Sequence, residues 1–572
     1  MNAYISVDFG TCHSVISYID NDEFRINHIF DTISGDVLIP TTIYFNLTEE
    51  KSVNNFEYNK DFYIGNDANE MFNQTKDSSL YFYQFKRFLG ITSKSSEHYF
   101  DFVKRFGHEY TTDDDMIYFY IKIDSNKEEN QIKIKISVIE LVKLFFIGLK
   151  YIIKERLNIT NEELIDITVT IPAYFHDLQR SQLKRGVEDA GYKIFKIFSE
   201  PTAAAIYYIK NYYNDCIENK KFIIYDLGGG TIDTTVVEYH HEDNTCEVID
   251  IDGNSALGGI DIDNLLINNI IHKYNIDNKN KKISHKIRKC AEEIKIKLSF
   301  NTVHSVILED IPIIDKTGKT SIKECLKIEY SRQLFNNLIN ELVEEMIISV
   351  IEMNKKHDIC DIIFIGGPTQ IPLLQNKVYA KLDLEENEQK KKNSSNIIGN
   401  NNSLLYKTIV SNGASLMYNL ISIKNDITLL DILPMNIGIS DDNDRMIIMV
   451  PKNSKIPITC ENMFTTSHDC QRSIDINVYE GTEEEDCKKN NFIGSYKIVG
   501  IPPLPKGKII IKLLFKITYN GILNISINGF RNPFGDDTQK FDYKLCENIK
   551  LISNYMAKDL LRKLLISKKM NN

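Results

Sequence analysis

Two short stretches of this chain carry nearly the same residues in the same order. They are Val7-Asp8-Phe9-Gly10-Thr11 and Tyr225-Asp226-Leu227-Gly228-Gly229-Gly230-Thr231. Glycine lets backbone N–H groups come close to a phosphate, and a carboxylate beside it can hold a hydrated cation. Two such turns facing each other would grip the phosphates of a nucleotide from both sides. Further residues fit the same chemistry. Lys86 lies between hydrophobic residues in Gln84-Phe85-Lys86-Arg87-Phe88, and Glu200 precedes Pro201-Thr202-Ala203. Ala256-Leu257-Gly258-Gly259-Ile260-Asp261 and Ile365-Gly366-Gly367-Pro368-Thr369 are two more glycine turns. Taken singly, each is weak: a Gly-Gly after a strand is usually an ordinary turn, and a Lys-Arg pair is usually solvated surface.

These residues need elements to position them. Each Asp-Gly turn follows an apolar run (Tyr4–Val7, Phe222–Tyr225) and enters another β-prone run, so each reads as strand, tight turn, strand. Asp166–Ile171 reads as a strand stopped by Pro172, and Pro201 at a first helical turn places Glu200 at a helix entrance. Val138, Leu141, Val142, Phe145, Phe146, Leu149 and Ile152 recur at helical spacing, which predicts a buried amphipathic helix and no membrane span. Strands alternate with helices over residues 1–425, interrupted at 385–403 by a Lys- and Asn-rich run read as a disordered surface insertion. Residues 426–431 read as a linker. Short alternating strands with turns, including Tyr519-Asn520-Gly521-Ile522, make 432–544 a β sandwich or barrel. Leu545, Ile549, Ile552, Met556, Leu560 and Leu564 predict one terminal helix over 545–572.

At 572 residues the chain exceeds a single hydrophobic core, so two or more domains are expected. Its 68 basic and 79 acidic side chains give a net charge of −11, which argues against a nucleic-acid partner. Ten cysteines without a C-x-x-C pair fit a reducing compartment better than a disulfide framework or a zinc site. The start runs straight into a strand carrying Asp8, so no signal peptide is expected and the cytoplasm is the predicted location.

The order and spacing of these motifs carry more than any one of them. Asp8–Thr11, Pro172-Ala173-Tyr174-Phe175, Gln179-Arg180, Glu200–Ala205, Asp226–Asp233, Val478-Tyr479-Glu480-Gly481 and Gly500-Ile501-Pro502-Pro503 resemble the seventy-kilodalton heat-shock chaperones, within the actin–hexokinase superfamily. The resemblance covers almost the whole chain. It implies an α/β, actin-like two-lobed nucleotide-binding domain, then a β sandwich that holds peptide, then a C-terminal helix as a lid remnant. It implies ATP with Mg²⁺ and K⁺, hydrolysed to ADP and phosphate. Asp8 and Asp226 would hold Mg²⁺ through water, Lys86 would steady the γ-phosphate or orient the attacking water, and Glu200, Thr231 and Asp233 would support the reaction. Gly10, Thr11, Cys12, His13, Gly228, Gly229, Gly230, Gly258, Gly259, Gly366, Gly367, Pro368 and Gln370 would line the nucleotide. Glu292, Lys295 and Ser299 match the contacts to adenosine. Pro172, Arg180 and Asp431 match the residues that couple the two domains, while Ile439, Phe464, Ile474 and Ile476 would line the peptide pocket or serve as plain core.

The chain also departs from the family pattern. Ile296 replaces an arginine that stacks on adenine, a loss of ~1 kcal/mol or roughly fivefold in affinity. Lys407 replaces an aspartate near the nucleoside. Cys12 and His13 replace threonine and tyrosine, with neutral substitution as the default reading. Thr428 replaces a linker leucine. Lys196 and Ser199 weaken the match to the surface for a J-domain co-chaperone. The loop that arches over the peptide reads Ser440-Asp441-Asp442-Asn443-Asp444-Arg445, which predicts basic clients or a failure to close. The short lid predicts fast peptide exchange even with ADP bound. Unfolded polypeptide, a J-domain co-chaperone and a nucleotide-exchange factor are the implied partners, with neither nucleic acid nor membrane. The alternative is a non-catalytic relative that binds ATP structurally, as a co-chaperone, ribosome-associated or virus-assembly factor.

Overall fold

The structure is a computed structural model. It describes residues 4–20, 25–31, 33–47, 50–75, 79–92, 103, 106–113, 116–123, 132–159, 165–213, 218–315, 317–359, 361–382, 405–422, 428–528 and 550–553. The 385–403 insertion lies outside them. The architecture is mixed α/β and repeats one plan twice before a β domain follows.

In the first lobe, Tyr4–Phe9 is the hinge of a sheet. It pairs antiparallel with His13–Ile19 and parallel with Ile165–Ile171, which pairs parallel with Tyr192–Ser199. The second lobe repeats this with Lys220–Leu227, antiparallel to Ile232–His240 and parallel to Ile362–Ile365. Parallel strands buried on both faces read as continuous apolar runs, as Phe222–Tyr225 and Ile362–Ile365 do. Each Asp-Gly turn therefore sits at the end of the first strand of its lobe.

The helix Val138–Arg156 backs the first sheet and buries most of its apolar side chains. Two of the charges that interrupt its pattern have structural work. Glu140 closes a capping box with Ser137, and Lys150 Nζ donates to the Gly191 carbonyl at 2.8 Å. Glu200–Tyr208 and Leu405–Ser422 cross between the lobes, and a Cβ on Gly413 would overlap the Ala203 carbonyl oxygen. Only a glycine lets the two helices approach this closely.

The linker residues form the strand Thr428–Ile432. It pairs parallel with Thr245–Asn254 of the second lobe and antiparallel with Lys455–Ile456 of the β domain. One strand thus belongs to both bodies. The β domain packs one sheet (Met446–Val450, Asn436–Ser440, Ser473–Gly481, Asn491–Val499, Lys550–Ser553) against another (Ile458–Thr465, Ile510–Ile517, Leu523–Asn528). Alternate residues face inward to form its core, including Ile437, Val478, Leu513 and Phe515. The hairpin at Tyr519–Ile522 forms as expected, with Gly521 at φ +68°.

The terminal helix expected over 545–572 requires correction. Lys550–Ser553 is a strand, antiparallel to Tyr496–Val499 at the edge of the sandwich. An apolar spacing of three to four matched a helix locally, but the open edge of the sheet takes this segment for its hydrogen bonds. The correction covers these four residues: the rest of the span, 545–549 and 554–572, lies outside the described residues.

Candidate functional site: the cleft between the lobes

The two Asp-Gly turns face each other across a cavity of about 320 Å³. Its wall includes Asp8, Gly10, Thr11, Cys12 and His13 from the first lobe and Asp226, Gly228, Gly229 and Thr231 from the second. Lys86 and Glu200 lie between them, and Glu292, Lys295, Ser299, Gly366, Gly367, Pro368 and Gln370 line the rest. Residues far apart in sequence are thus gathered by the duplicated strand-turn-strand plan.

Lys86 is the only lysine drawn into the carboxylate cluster at the base of the cleft among the described residues. Its Nζ donates to Glu200 Oε1 at 2.9 Å, both side chains are buried, and it lies near the rings of Phe9 and Phe175. Lys86 is carried by a short 3₁₀ turn, Phe85–Phe88, whose phenylalanines sink into the first lobe's core. Glu200 opens its helix after the cap Ser199, with Pro201 in the first turn. Asp8 Oδ1 accepts from the Thr170 hydroxyl at 2.8 Å. Asp233 Oδ1 accepts from the Tyr174 N–H at 2.8 Å, while its other oxygen has no hydrogen-bond partner.

So many carboxyl groups around one ammonium repel one another. Burial first, then the charge of Glu200, pushes Asp8 up to about 7 and Asp233 up to about 7. The same two causes, with Asp233 and Asp8 added, push Asp226 well above the usual carboxylate range. A bare site of this kind asks for counter-charge, which a divalent cation supplies. Among the described residues, no three His, Cys, Asp or Glu side chains converge closely enough to hold a metal directly. By charge and oxygen chemistry the carboxylates present fit a hydrated divalent cation.

On another side of the cavity, the helix Lys281–Phe300 presents Glu292, Lys295, Ile296 and Ser299, three of which were expected at adenosine. Lys295 Nζ pairs with Asp263 at 2.7 Å, and Ser299 Oγ donates to the Lys295 carbonyl at 3.2 Å. Lys407 reaches across to Asp36 at 3.5 Å. Gly366 has φ +85°, and a Cβ there would strike the Leu227 carbonyl, so this turn requires glycine. Burial pushes the Cys12 thiol up to about 12, with the Glu292 charge adding to it, so Cys12 packs as a neutral group.

Three glycines expected to line the nucleotide are placed differently. Gly230, Gly258 and Gly259 are not part of the cavity wall. The Gly258 N–H is taken by Asp261 Oδ2 at 2.9 Å and the Gly259 N–H by the Gly228 carbonyl at 3.0 Å. The Gly259 N–H thus ties the two glycine turns together while the Gly258 N–H is used within its own turn, so neither of these two is free for a phosphate. Conversely, Leu38, Phe300, Tyr406 and Val410 line the cavity and carried no sequence signal, because apolar walls look like core. Arg87, read as solvated surface, bridges the lobes: Nη2 donates to the Ala256 carbonyl at 2.9 Å, and Asp261 lies 3.6 Å away.

Pro172, Arg180 and Asp431, the residues expected to couple the two domains, also come together. Arg180 Nε donates to the Phe175 carbonyl at 2.8 Å and Nη2 to that of Ala173 at 3.1 Å, holding the turn that begins at Pro172. Asp431 feels the charge of Arg180 and then Lys196, although burial outweighs both and raises its carboxyl. In the β domain Ile439 and Ile476 are buried core, whereas Phe464 and Ile474 are half-buried against it. In the arch loop, Asp441 accepts from the Asn443 and Arg445 N–H groups at 2.8 Å each, and Asp444 pairs with Lys488 at 2.5 Å.

Comparison with known proteins agrees with this architecture. The family described as Hsp70 protein matches residues 4–532. A chaperone protein DnaK from Cyanidium caldarium is 29% identical over 540 residues, covering 92% of this chain and 78% of the relative. A chaperone protein DnaK from Ureaplasma parvum serovar 3 is 32% identical over 369 residues, covering 63% of this chain and 57% of the relative. Members of this family are in general chaperones that bind ATP with Mg²⁺ and hydrolyse it. The match runs through both lobes and the β domain, and the chain belongs to the Hsp70 family.

Proposed function

We propose that this chain is an ATP-hydrolysing chaperone that uses its nucleotide cycle to bind and release extended polypeptide segments. The observation that carries the reading is the buried Lys86–Glu200 pair set between Asp8 of one lobe and Asp226 of the other. ATP entering the cleft would direct its phosphates to the two Asp-Gly turns and its nucleoside to Glu292, Lys295 and Ser299. Phosphoryl transfer to water needs positioning and charge neutralisation more than covalent help. Mg²⁺, when bound, supplies the charge that lets the phosphates sit among carboxylates. Lys86 steadies negative charge on the transferring group, and Glu200 holds Lys86 in place. Thr231 and Asp233 frame the reacting end, and K⁺ is a further ion for the same phosphates.

Coupling follows from the linker strand. Residues Thr428–Ile432 bond to the second lobe and the β domain at once, so lobe rotation would be felt by the sandwich. The client would lie as an extended strand near Ile439, Phe464, Ile474 and Ile476. Asp441 is already paired within the arch and Asp444 with Lys488 outside it, so exposed Asp442 is the residue that would favour basic clients. A J-domain co-chaperone, a nucleotide-exchange factor and a cytoplasmic setting complete the proposal. No helix among the described residues is long and apolar enough to cross a membrane.

Steady-state ATPase with and without an unfolded client tests this reading, run beside Lys86→Ala. Turnover above the variant, raised by client, is the expected result. Turnover no faster than the variant would leave the structural ATP binder as the better reading, a role the acidic arch favours.

A further inference from the structure

The start of the helix Asp177–Asp189 is where the β domain meets the first lobe. The Asp177 N–H donates to Glu480 Oε2 at 2.7 Å, and the Leu523 N–H donates to Asp177 Oδ1 at 2.6 Å. Beside them the Ile197 N–H donates to Asn520 Oδ1 at 3.1 Å, and Ile522 packs on the core of the first lobe. Both sheets of the sandwich thus close over Asp177. In this docked arrangement Asp177 is 7% exposed and Glu480 2%.

The groups facing this pair do little to neutralise it. Arg180 is the nearest cation, and two of its nitrogens are committed to the carbonyls of Phe175 and Ala173. His176 beside it is pushed down to about 3 by burial and by Arg180, so it stays neutral. Tyr496, from the strand behind, is pushed up to about 12 by burial and by the Asp177 charge, so it too is neutral. Asp431 and Lys196 feel the charge of one another, and Asp431 also feels that of Arg180. Neither Asp177 nor Glu480 forms an ion pair with a lysine or arginine among the described residues.

We infer that docking of the β domain onto the ATPase domain takes up a proton, held by the Asp177–Glu480 pair, so that the clasp tightens as pH falls. Two carboxylates brought together out of water repel if both are ionised, and a shared proton removes that repulsion. Burial raises Glu480 to about 8; the bond from the Asp177 N–H opposes this and the Asp177 charge adds to it. Burial raises Asp177 to about 6, against the Leu523 N–H and Arg180. After undocking, both carboxyls return to the ordinary range near 4. A group raised in the docked state favours docking at low pH, and that contribution is lost as pH rises through the docked value. The loss therefore runs through neutrality, by up to about tenfold in the docking constant per pH unit. The inference deepens the proposed function, because the clasp it describes is the joint through which that cycle would act.

The test uses the full chain with one fluorophore on the ATPase domain and one on the β domain. Docked fraction is read by energy transfer at pH 6, 7 and 8, with and without Mg·ATP. The wild type is expected to lose docking from pH 6 to 8. Glu480→Gln keeps an acceptor for the Asp177 N–H but has no proton to gain, and is expected to dock with a much flatter slope. Asp177→Asn keeps the acceptor for the Leu523 N–H and should flatten the same curve from the other side. A wild-type docking constant that does not change from pH 6 to 8 overturns the inference. So does a wild-type slope retained in both variants, or the absence of any docked fraction. A slope that is present but indifferent to ATP upholds the proton clasp and overturns only the nucleotide-driven cycle.

Discussion

At the scale of single residues, the cleft is a problem in charge. Asp8, Asp226, Asp233 and Glu200 lie near one ammonium, and Lys86 is held by Glu200 at 2.9 Å. Lys86→Ala is expected to lower turnover by about 10²–10³-fold, the usual cost of removing one preorganised stabilising group. Nucleotide titration by calorimetry should show binding retained in that variant, separating chemistry from affinity. Ile296 lines the cavity where the proposal places the nucleoside and is 49% exposed, so its replacement meets solvent rather than core. Ile296→Arg should tighten ATP roughly fivefold by restoring a cation over the base. An unchanged dissociation constant would mean that the base does not lie on this face of the helix.

At the scale of elements, glycines set how closely parts approach. Gly413 lets the helix Leu405–Ser422 cross against Glu200–Tyr208, the helix that carries Glu200. Gly413→Ala should destabilise the ATPase domain by about 1–3 kcal/mol, because one methyl is forced into a packed crossing. A lower urea midpoint together with reduced turnover is the expected pair of results. The site elements were legible to different degrees. The strands ending in Asp8 and Asp226 showed themselves by apolar runs stopped at Asp-Gly, and Glu200 by the proline after it. Gly258 and Gly259 were legible as a turn but not in their partners. Whether the Gly259 N–H faces a phosphate or another turn depends on a contact with Gly228 that no local pattern encodes.

At the scale of the whole molecule, the strand Thr428–Ile432 joins the two bodies. The Thr428 N–H donates to the Asn244 carbonyl at 3.0 Å, so proline there removes one bond of the joint. Thr428→Pro should make the linker as sensitive to limited proteolysis with ATP as without it, and should abolish stimulation of turnover by client. Equal protection in wild type and variant would show that the strand is not what holds the domains together. The segment Lys550–Ser553 carries the same lesson. Its apolar spacing suits a helix, yet the free edge left by the other four strands of the sheet supplies better partners.

The sequence by itself determined the chemistry offered to the cleft and the elements that bear it. Carboxylate, glycine and lysine motifs are local, and so is the strand-turn-strand pattern that places each at the end of a strand. Tertiary structure alone decided which of these groups share a space. It set Glu200 against Lys86 from 114 positions away and Glu480 over Asp177 from 303 away. It also assigned Arg87 to bridge the lobes and Lys550–Ser553 to a sheet edge. The physical reason is that burial and charge repulsion depend on what lies across a cleft or an interface. Neither is written in the spacing of neighbouring residues.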